Sequence, residues 1–261
     1  MNAADWPPPV RLDIGEGIAT LTLDRPASMN AVTTALAVAL EQAVLVADRD
    51  DDVNVIVIRG AGGNFCAGGD FEEVQRLRAE GPGSLRSLFE CFHAACAAVE
   101  AARVPVVAVV EGVAMAGGFE LMQACDLVLV SDRARISDNH VNHGMVPGGG
   151  GSQRLPRALG RQQSLGLLLT GDRLSGQEAV AAGLAYRSFP AETFDDDVAA
   201  VVARLASRRP EATSTIKRLV RDGLALPLTE ALAMETDAVV RHICGEAGGV
   251  GAFAAPRKER S

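Results

Sequence analysis

Two periodicities alternate along the chain. "VRLDIGEGIATLTLDRP", residues 10–26, puts apolar side chains at every second position on both sides of Gly15-Glu16-Gly17, which predicts a β-hairpin closed by Pro26. "TTALAVALEQAVLVADRDD" changes to apolar residues three and four apart and ends in acids, which predicts a helix from about 33 to 48. "VNVIVIRG", residues 53–60, is apolar almost throughout, as a strand buried on both faces is. The alternation then recurs: "SLRSLFECFHAACAAVEAA" reads as helix, "VPVVAVVEG" as strand, "FELMQACD" as short helix and "LVLVSD" as strand. Such repetition predicts an α/β architecture with covered sheets. After about residue 190 the pattern is helical only, through "ETFDDDVAAVVARLASR", "ATSTIKRLVRDGL" and "LTEALAMETDAVVRHIC".

Length and composition narrow the classes. A chain of 261 residues, 48% hydrophobic and 22% charged, can bury a sizeable core in one large domain or two small ones. The balance of 25 basic against 33 acidic residues gives −8, which argues against a nucleic-acid-binding protein. It leaves room for an anionic small molecule held by a few basic groups or backbone amides. "MNAADWPPPV" lacks the basic-then-apolar organisation of a secretory signal, and the apolar run "VPVVAVV" stops at Glu111, far short of a membrane span. Five cysteines without a CxxC pair read as reduced, mostly buried thiols of a cytoplasmic protein. The terminal "PRKERS" is expected to fray or lie on the surface.

Three segments carry candidate chemistry. "GAGGNFCAGGDFEEV" follows the 53–60 strand and leads into a helix, and "EGVAMAGGFELMQACD" repeats the order strand, glycines, helix. Glycines let backbone N–H groups approach a ligand, and a helix N-terminus adds unpaired donors with partial positive charge, suited to a phosphate or a developing oxyanion. Each turn is followed by an acid, Asp70 and Glu120. Neither contains GxxxxGK[ST] or a full GxGxxG, so a nucleotide site is unsupported and a doubly wound dinucleotide fold lacks its fingerprint. The third segment, "ARISDNHVNHGMVPGGGGSQRL", sets His140 and His143 just ahead of Pro147 and four glycines. A metal would need a third ligand, with Asp132 and Asp138 the acids nearest in sequence. A proton-transfer role needs only an imidazole titrating near neutrality.

"NFCAGGDFEE", "VEGVAMAGGFELMQACDLVLVSD" and "GMVPGGGGSQRLPRALG" together resemble the crotonase (enoyl-CoA hydratase/isomerase) superfamily. The likeness runs in order from "LDRPASMNAV" through "LTGDRLSGQEAVAAGLAYRSFP" and "TIKRLVRDGL" to "GVGAFAAPRK". It implies a spiral of ββα units with two nearly perpendicular sheets over residues 1–194, and a helical C-terminal trimerisation region over 195–261. A homotrimer or homohexamer in the cytoplasm is expected, acting on an acyl-CoA thioester with no metal and no cofactor beyond the coenzyme A of the substrate. Motif matching places oxyanion-hole donors at Gly69 and Gly117, and the CoA and substrate site at Ala67, Gly68, Asp70, Phe71 and Glu72. Lys217 corresponds to a C-terminal-helix lysine that approaches CoA, a solvated helix face being its other reading. Residues 71–92 are expected to form the mobile pocket wall where these proteins set acyl specificity.

Hydratases of the superfamily hold a water between two glutamates. The first matches Glu120, which burial would make a better acid or base near neutrality. The second belongs to a "P-E" pair seven residues before the proline of "G-x-x-P"; counting back from Pro147 reaches His140, preceded by Asn139. A histidine therefore stands where the pattern has a carboxylate, with His143 at a usually apolar position. The leading expectation is hydration of a 2-enoyl-CoA to a 3-hydroxyacyl-CoA, Glu120 activating water and His140 supporting the proton step. Another crotonase-type reaction (hydrolase, isomerase or lyase), or CoA-ester binding with little turnover, are the alternatives.

Overall fold

The computed structural model describes residues 9–245, so the first eight residues and the quoted "GVGAFAAPRK" and "PRKERS" lie outside the described part. The chain divides into two compact units after Ser207. The first opens with the hairpin β1 (Val10–Gly15) and β2 (Ile18–Leu23), antiparallel with Leu12 opposite Leu21. Glu16 and Gly17 both take positive φ, 54° and 77°, the backbone of a tight turn whose twist matches that of the strands.

From β2 onward each repeat supplies a long strand, a short extended piece and a helix. The first repeat is β2, the single residue Val32 and α1 (Thr34–Asp48), whose N-cap Thr33 accepts from the Leu36 amide. Next come β3 (Val55–Gly60), the extended residues Cys66 and Gly69, and helices α2 (Phe71–Glu80) and α3 (Pro82–Ala101). The third is β4 (Val106–Val110), β5 (Val113–Met115) and α4 (Gly117–Ala124); the fourth is β6 (Leu127–Ser131), β7 (Arg135–Ser137), α5 (Gly151–Leu159), α6 (Arg161–Thr170) and α7 (Gly176–Ala182). β8 (Arg187–Phe189) and α8 (Phe194–Ala206) complete the unit. The long strands, with the three-residue β8 at one edge, form one six-stranded sheet in the order β1-β2-β3-β4-β6-β8, parallel from β2 onward. The short pieces form a second layer: Val32 bridges Gly69, Cys66 bridges Ala114, β5 pairs with β7, and Ile136 bridges Leu174. This is a spiral of ββα units.

The continuous apolar runs now have a physical reason. Along β3, Ile56 and Ile58 enter the main core while Val55 and Val57 enter a second cluster on the opposite face. β4 splits the same way, Val106, Ala108 and Val110 against Val107 and Val109. The second cluster is closed by Phe194, Val198, Val201 and Val202 of α8, each worth roughly 1.5–3 kcal/mol in apolar burial. The sequence-derived boundary at 194/195 falls in the first turn of this helix, whereas the compact unit extends to Ser207.

The second unit contains α9 (Pro210–Gly223) and α10 (Leu228–Cys244), which pack on one another. Ile216, Val220, Leu224, Leu228, Leu232 and Val239 are exposed, and Lys217 is buried. Among the described residues no helix is long and apolar enough to cross a membrane.

Candidate active site

The two glycine turns meet. The second-layer bridge between Val32 and Gly69 is built from the Val32 amide on the Gly68 carbonyl, 2.7 Å, and the Asp70 amide on the Val32 carbonyl, 2.8 Å. Strand alternation then turns the Gly69 N–H to the other side. Gly117 is the first residue of α4, whose early amides have no intrahelical acceptor and no side-chain cap. Among the described residues neither the Gly69 nor the Gly117 N–H has an acceptor. A methyl group on Gly117 would lie 3.6 Å from the Gly69 nitrogen, and one on Gly68 would lie 3.3 Å from the Gly117 nitrogen. Gly69 and Gly117 border a cavity of about 490 Å³.

The corner before α4 is strained. Ala116 has φ 47° and ψ −116°, a conformation favoured by glycine, and its amide is held on the Ser137 carbonyl of β7 at 3.0 Å. Opposite it, Gly68 leaves no room for a side chain, because its Cβ would approach the Ala116 Cβ to 2.7 Å. The first turn is anchored from below: Arg25 reaches the Asp70 carboxylate at 2.8 Å and the Ala31 carbonyl at 2.5 Å. Buried Asn30 donates to the Ala61 and Asn64 carbonyls. These contacts are what "LDRPASMNAV" contributes.

The cavity wall is apolar over Val32, Phe71, Val74, Leu88, Phe89 and Phe92, and polar at Glu120, Asn139, His140 and His143. Glu120, in the first turn of α4, is only 2% exposed. Its Oε1 accepts the amides of Gly149 at 2.7 Å and Gly151 at 2.8 Å, leaving Oε2 as the atom able to exchange a proton. Burial pushes its pKa above the usual carboxylate value, offset in part by the Gly151 and Gly149 amides and the His140 charge. The four glycines from 148 to 151 exist for contact. A Cβ on Gly148 would strike the Phe89 ring and one on Gly149 the Phe92 ring, while one on Gly151 would fall 2.8 Å from Asp138 Oδ2. Arg154 ties the same loop down, donating to the Gly149 carbonyl at 2.6 Å and to Glu100 at 2.6 Å.

His140 begins a short 3-10 turn, His140–His143, immediately after β7 and two connecting residues. Its Nδ1 lies 2.6 Å from Asp138 Oδ1; the Asp138 side chain is 1% exposed and the His140 side chain 12%. His143 is exposed at the cavity rim.

Residues 13–259 match the family model described as enoyl-CoA hydratase/isomerase. The chain belongs to this family. It is 32% identical over 227 residues to a probable enoyl-CoA hydratase of Mycobacterium leprae, covering 87% of this chain and 86% of that protein. It is 31% identical over 218 residues to the mitochondrial enoyl-CoA hydratase of Pongo abelii, covering 84% and 73%. The crystal structure of an enoyl-CoA hydratase from Polaromonas sp. JS666 superposes with a TM-score of 0.89 at 31% identity, covering 94% of this chain and 95% of that one.

Within this enoyl-CoA hydratase/isomerase chain, Ala67, Gly69, Phe71, Gly117, Glu120 and His140 all reach the one cavity. Gly68 and Asp70 stand behind it. Gly68 packs on Ala116, and Asp70 caps α2 through the Glu73 amide at 3.1 Å while bonded to Arg25. Glu72 is exposed in the first turn of α2. Lys217 is on α9 of the second unit. Residues 71–92 are α2 and the first half of α3, which place Phe71, Val74, Leu88, Phe89 and Phe92 on the wall. Sequence reasoning missed Ala116, Asp138, Arg154 and the two amides on Glu120. The sequence offers Asp138, two residues before His140, only as a candidate metal ligand.

Proposed function

We propose that the protein adds water across the C2=C3 bond of a 2-enoyl-CoA, giving a 3-hydroxyacyl-CoA. The observation that carries this reading is the meeting of the Gly69 and Gly117 amides beside an apolar cavity whose wall holds Glu120. With the thioester oxygen on those two amides, the acyl chain runs along Val74, Leu88, Phe89 and Phe92. Glu120 Oε2 takes a proton from water as the water oxygen bonds to C3. The C2=C3 π pair moves toward the carbonyl, and the resulting enolate oxygen is stabilised by donors already aimed at it. Loss of one such donor costs roughly 3–4 kcal/mol. C2 then takes a proton from His140 Nε2 and the thioester carbonyl re-forms. Glu120 is left protonated and His140 neutral, and exchange with solvent restores both.

The same reading keeps Ala67, Phe71 and Glu72 as CoA contacts, with Gly68 and Asp70 shaping the turn that carries them and Lys217 supplied by a neighbouring subunit, and needs no cofactor beyond the substrate's own CoA. It also keeps a trimer or paired trimer in the cytoplasm, with the exposed apolar residues of α9 and α10 as contact surface. The test follows loss of the enoyl-thioester ultraviolet absorbance with crotonyl-CoA and longer 2-enoyl-CoAs, while free thiol is measured in parallel. Absorbance loss without thiol is expected, and Glu120→Gln should lower the rate roughly 10²–10⁴-fold while CoA-ester binding persists. Thiol release would assign hydrolysis instead, and tight binding without turnover would assign a binding protein. A sharp rise in hydration in His140→Glu would mean the natural site serves another reaction.

A further inference from the structure

We propose that Asp138 is the positioning residue of this site: it fixes the orientation of His140 and keeps a proton on its ring, so that an Asp–His pair performs the proton delivery of a single carboxylate. The inference rests on the hydration reading and names how its proton donor is kept charged. Three observations carry it.

First, one carboxylate oxygen holds both ends of the histidine. Asp138 Oδ1 lies 2.6 Å from Nδ1 and also accepts the His140 backbone amide at 3.4 Å. Asp138 directly follows β7, whose Ser137 carbonyl accepts the Ala116 amide at the oxyanion corner, so the acid is mounted on the element that shapes the donor site. Second, the contact sets the tautomer. A carboxylate accepts, so Nδ1 carries hydrogen and Nε2 is left for the substrate side. Third, the charges around the imidazole are lopsided. Asp138 faces it from its own segment and Glu120 from α4, and the two carboxylates flank Gly151, whose Cβ would lie 2.8 Å from Asp138 Oδ2 and 3.2 Å from Glu120 Oε1. His143 shares the 3-10 turn but is exposed. Arg154, on α5, is engaged by Glu100 and the Gly149 carbonyl. Two buried acids near one imidazole, one of them bonded to it, favour the imidazolium. Burial alone would lower the His140 pKa, but the Asp138 hydrogen bond and charge, with the Glu120 charge, hold it above the ordinary value.

The chain has four histidines, so ¹⁵N-labelled ring resonances are few and His140→Gln assigns the one that matters. The ring should titrate above about 6.5 in the unmodified protein and, once neutral, keep its hydrogen on Nδ1. A neutral ring with hydrogen on Nε2, or titration at or below that value, overturns the proposal without any variant. In Asp138→Asn, which keeps shape and removes charge, proton affinity of His140 should fall at least about tenfold. The alkaline limb of the kcat/KM profile for hydration should move down in pH by the same factor, with KM changing less than about threefold. A lower rate with neither limb nor resonance displaced would make Asp138 merely structural. The titration needs no substrate: absence of hydration with the expected titration overturns the reaction, whereas hydration with an ordinary titration overturns the pair.

Discussion

Gly151→Ala tests the grip on Glu120 with a single methyl group. The added Cβ would sit 2.8 Å from Asp138 Oδ2 and 3.2 Å from both Cγ and Oε1 of Glu120, so one of the two carboxylates must move. The Gly151 amide donates to Oε1 at 2.8 Å, a hydrogen bond to a charged group worth about 1.5–3 kcal/mol. Displacing it lowers kcat/KM for hydration about 13- to 160-fold, taking about 1.36 kcal/mol per decade. The direction with pH is also set. Removing a donor from the ionised form raises the Glu120 pKa further, so the acid limb of kcat/KM moves to higher pH. Gly166→Ala is the matched control: Gly166 is exposed on α6 with nothing within 4 Å of its Cβ, and the change should stabilise by roughly 0.5–1 kcal/mol without touching rate. Stopped-flow or steady-state absorbance assays across pH, with thermal unfolding of both variants, decide it. A Gly151→Ala protein with unchanged rate and unchanged acid limb would refute the assignment of the loop amides to the catalytic carboxylate.

Ala116→Gly should raise the melting temperature by about 2–4 °C, since release of strain at φ 47° exceeds glycine's entropic cost by about 1 kcal/mol; a lower melting temperature would show the corner is not strained. Phe194→Ala, which uncovers the outer face of the parallel sheet, should cost about 3–5 kcal/mol in denaturant unfolding, and a loss under 1 kcal/mol would remove α8 from the core. Cys66 and Cys96, buried and pushed up to about 12 by that burial, should resist maleimide labelling in the native protein while exposed Cys244 reacts at once. Rapid native labelling at Cys66 or Cys96 would contradict their burial.

What was legible in the sequence was what neighbours in sequence decide. The hairpin follows from Gly15-Glu16-Gly17, and the two-sided burial of β3 follows from its unbroken apolar run. The identity of the cover did not follow: Val55 and Val57 are closed by Phe194 and Val198, far along the chain, and helical periodicity alone does not say which sheet face a helix meets. The active corner divides in the same way. Gly69, Gly117 and Glu120 sit in motifs whose strand–turn–helix order already predicts backbone amides without partners. The purpose of the four glycines does not, because it depends on Phe89 and Phe92 of α3 and on two carboxylates from other segments. The contact of Asp138 with His140 is hidden in the sequence for a different reason. The partner is two residues away, but whether an acid so close bonds the ring or turns from it depends on the 3-10 turn beginning at His140.

The Val32–Gly69 bridge has a consequence for how this corner can change. Gly69 presents its amide inward because it is one step out of phase with Gly68 and Asp70, which are spent on Val32. Substituting a neighbour in the 66–70 segment alters a side chain and leaves that phase intact. Inserting or deleting one residue there reverses it, turning the amide toward Val32 and a carbonyl toward the cavity. The segment is therefore constrained in length as well as in identity: a side chain at Gly68 would strike Ala116, but only an indel reverses the direction of the Gly69 amide itself.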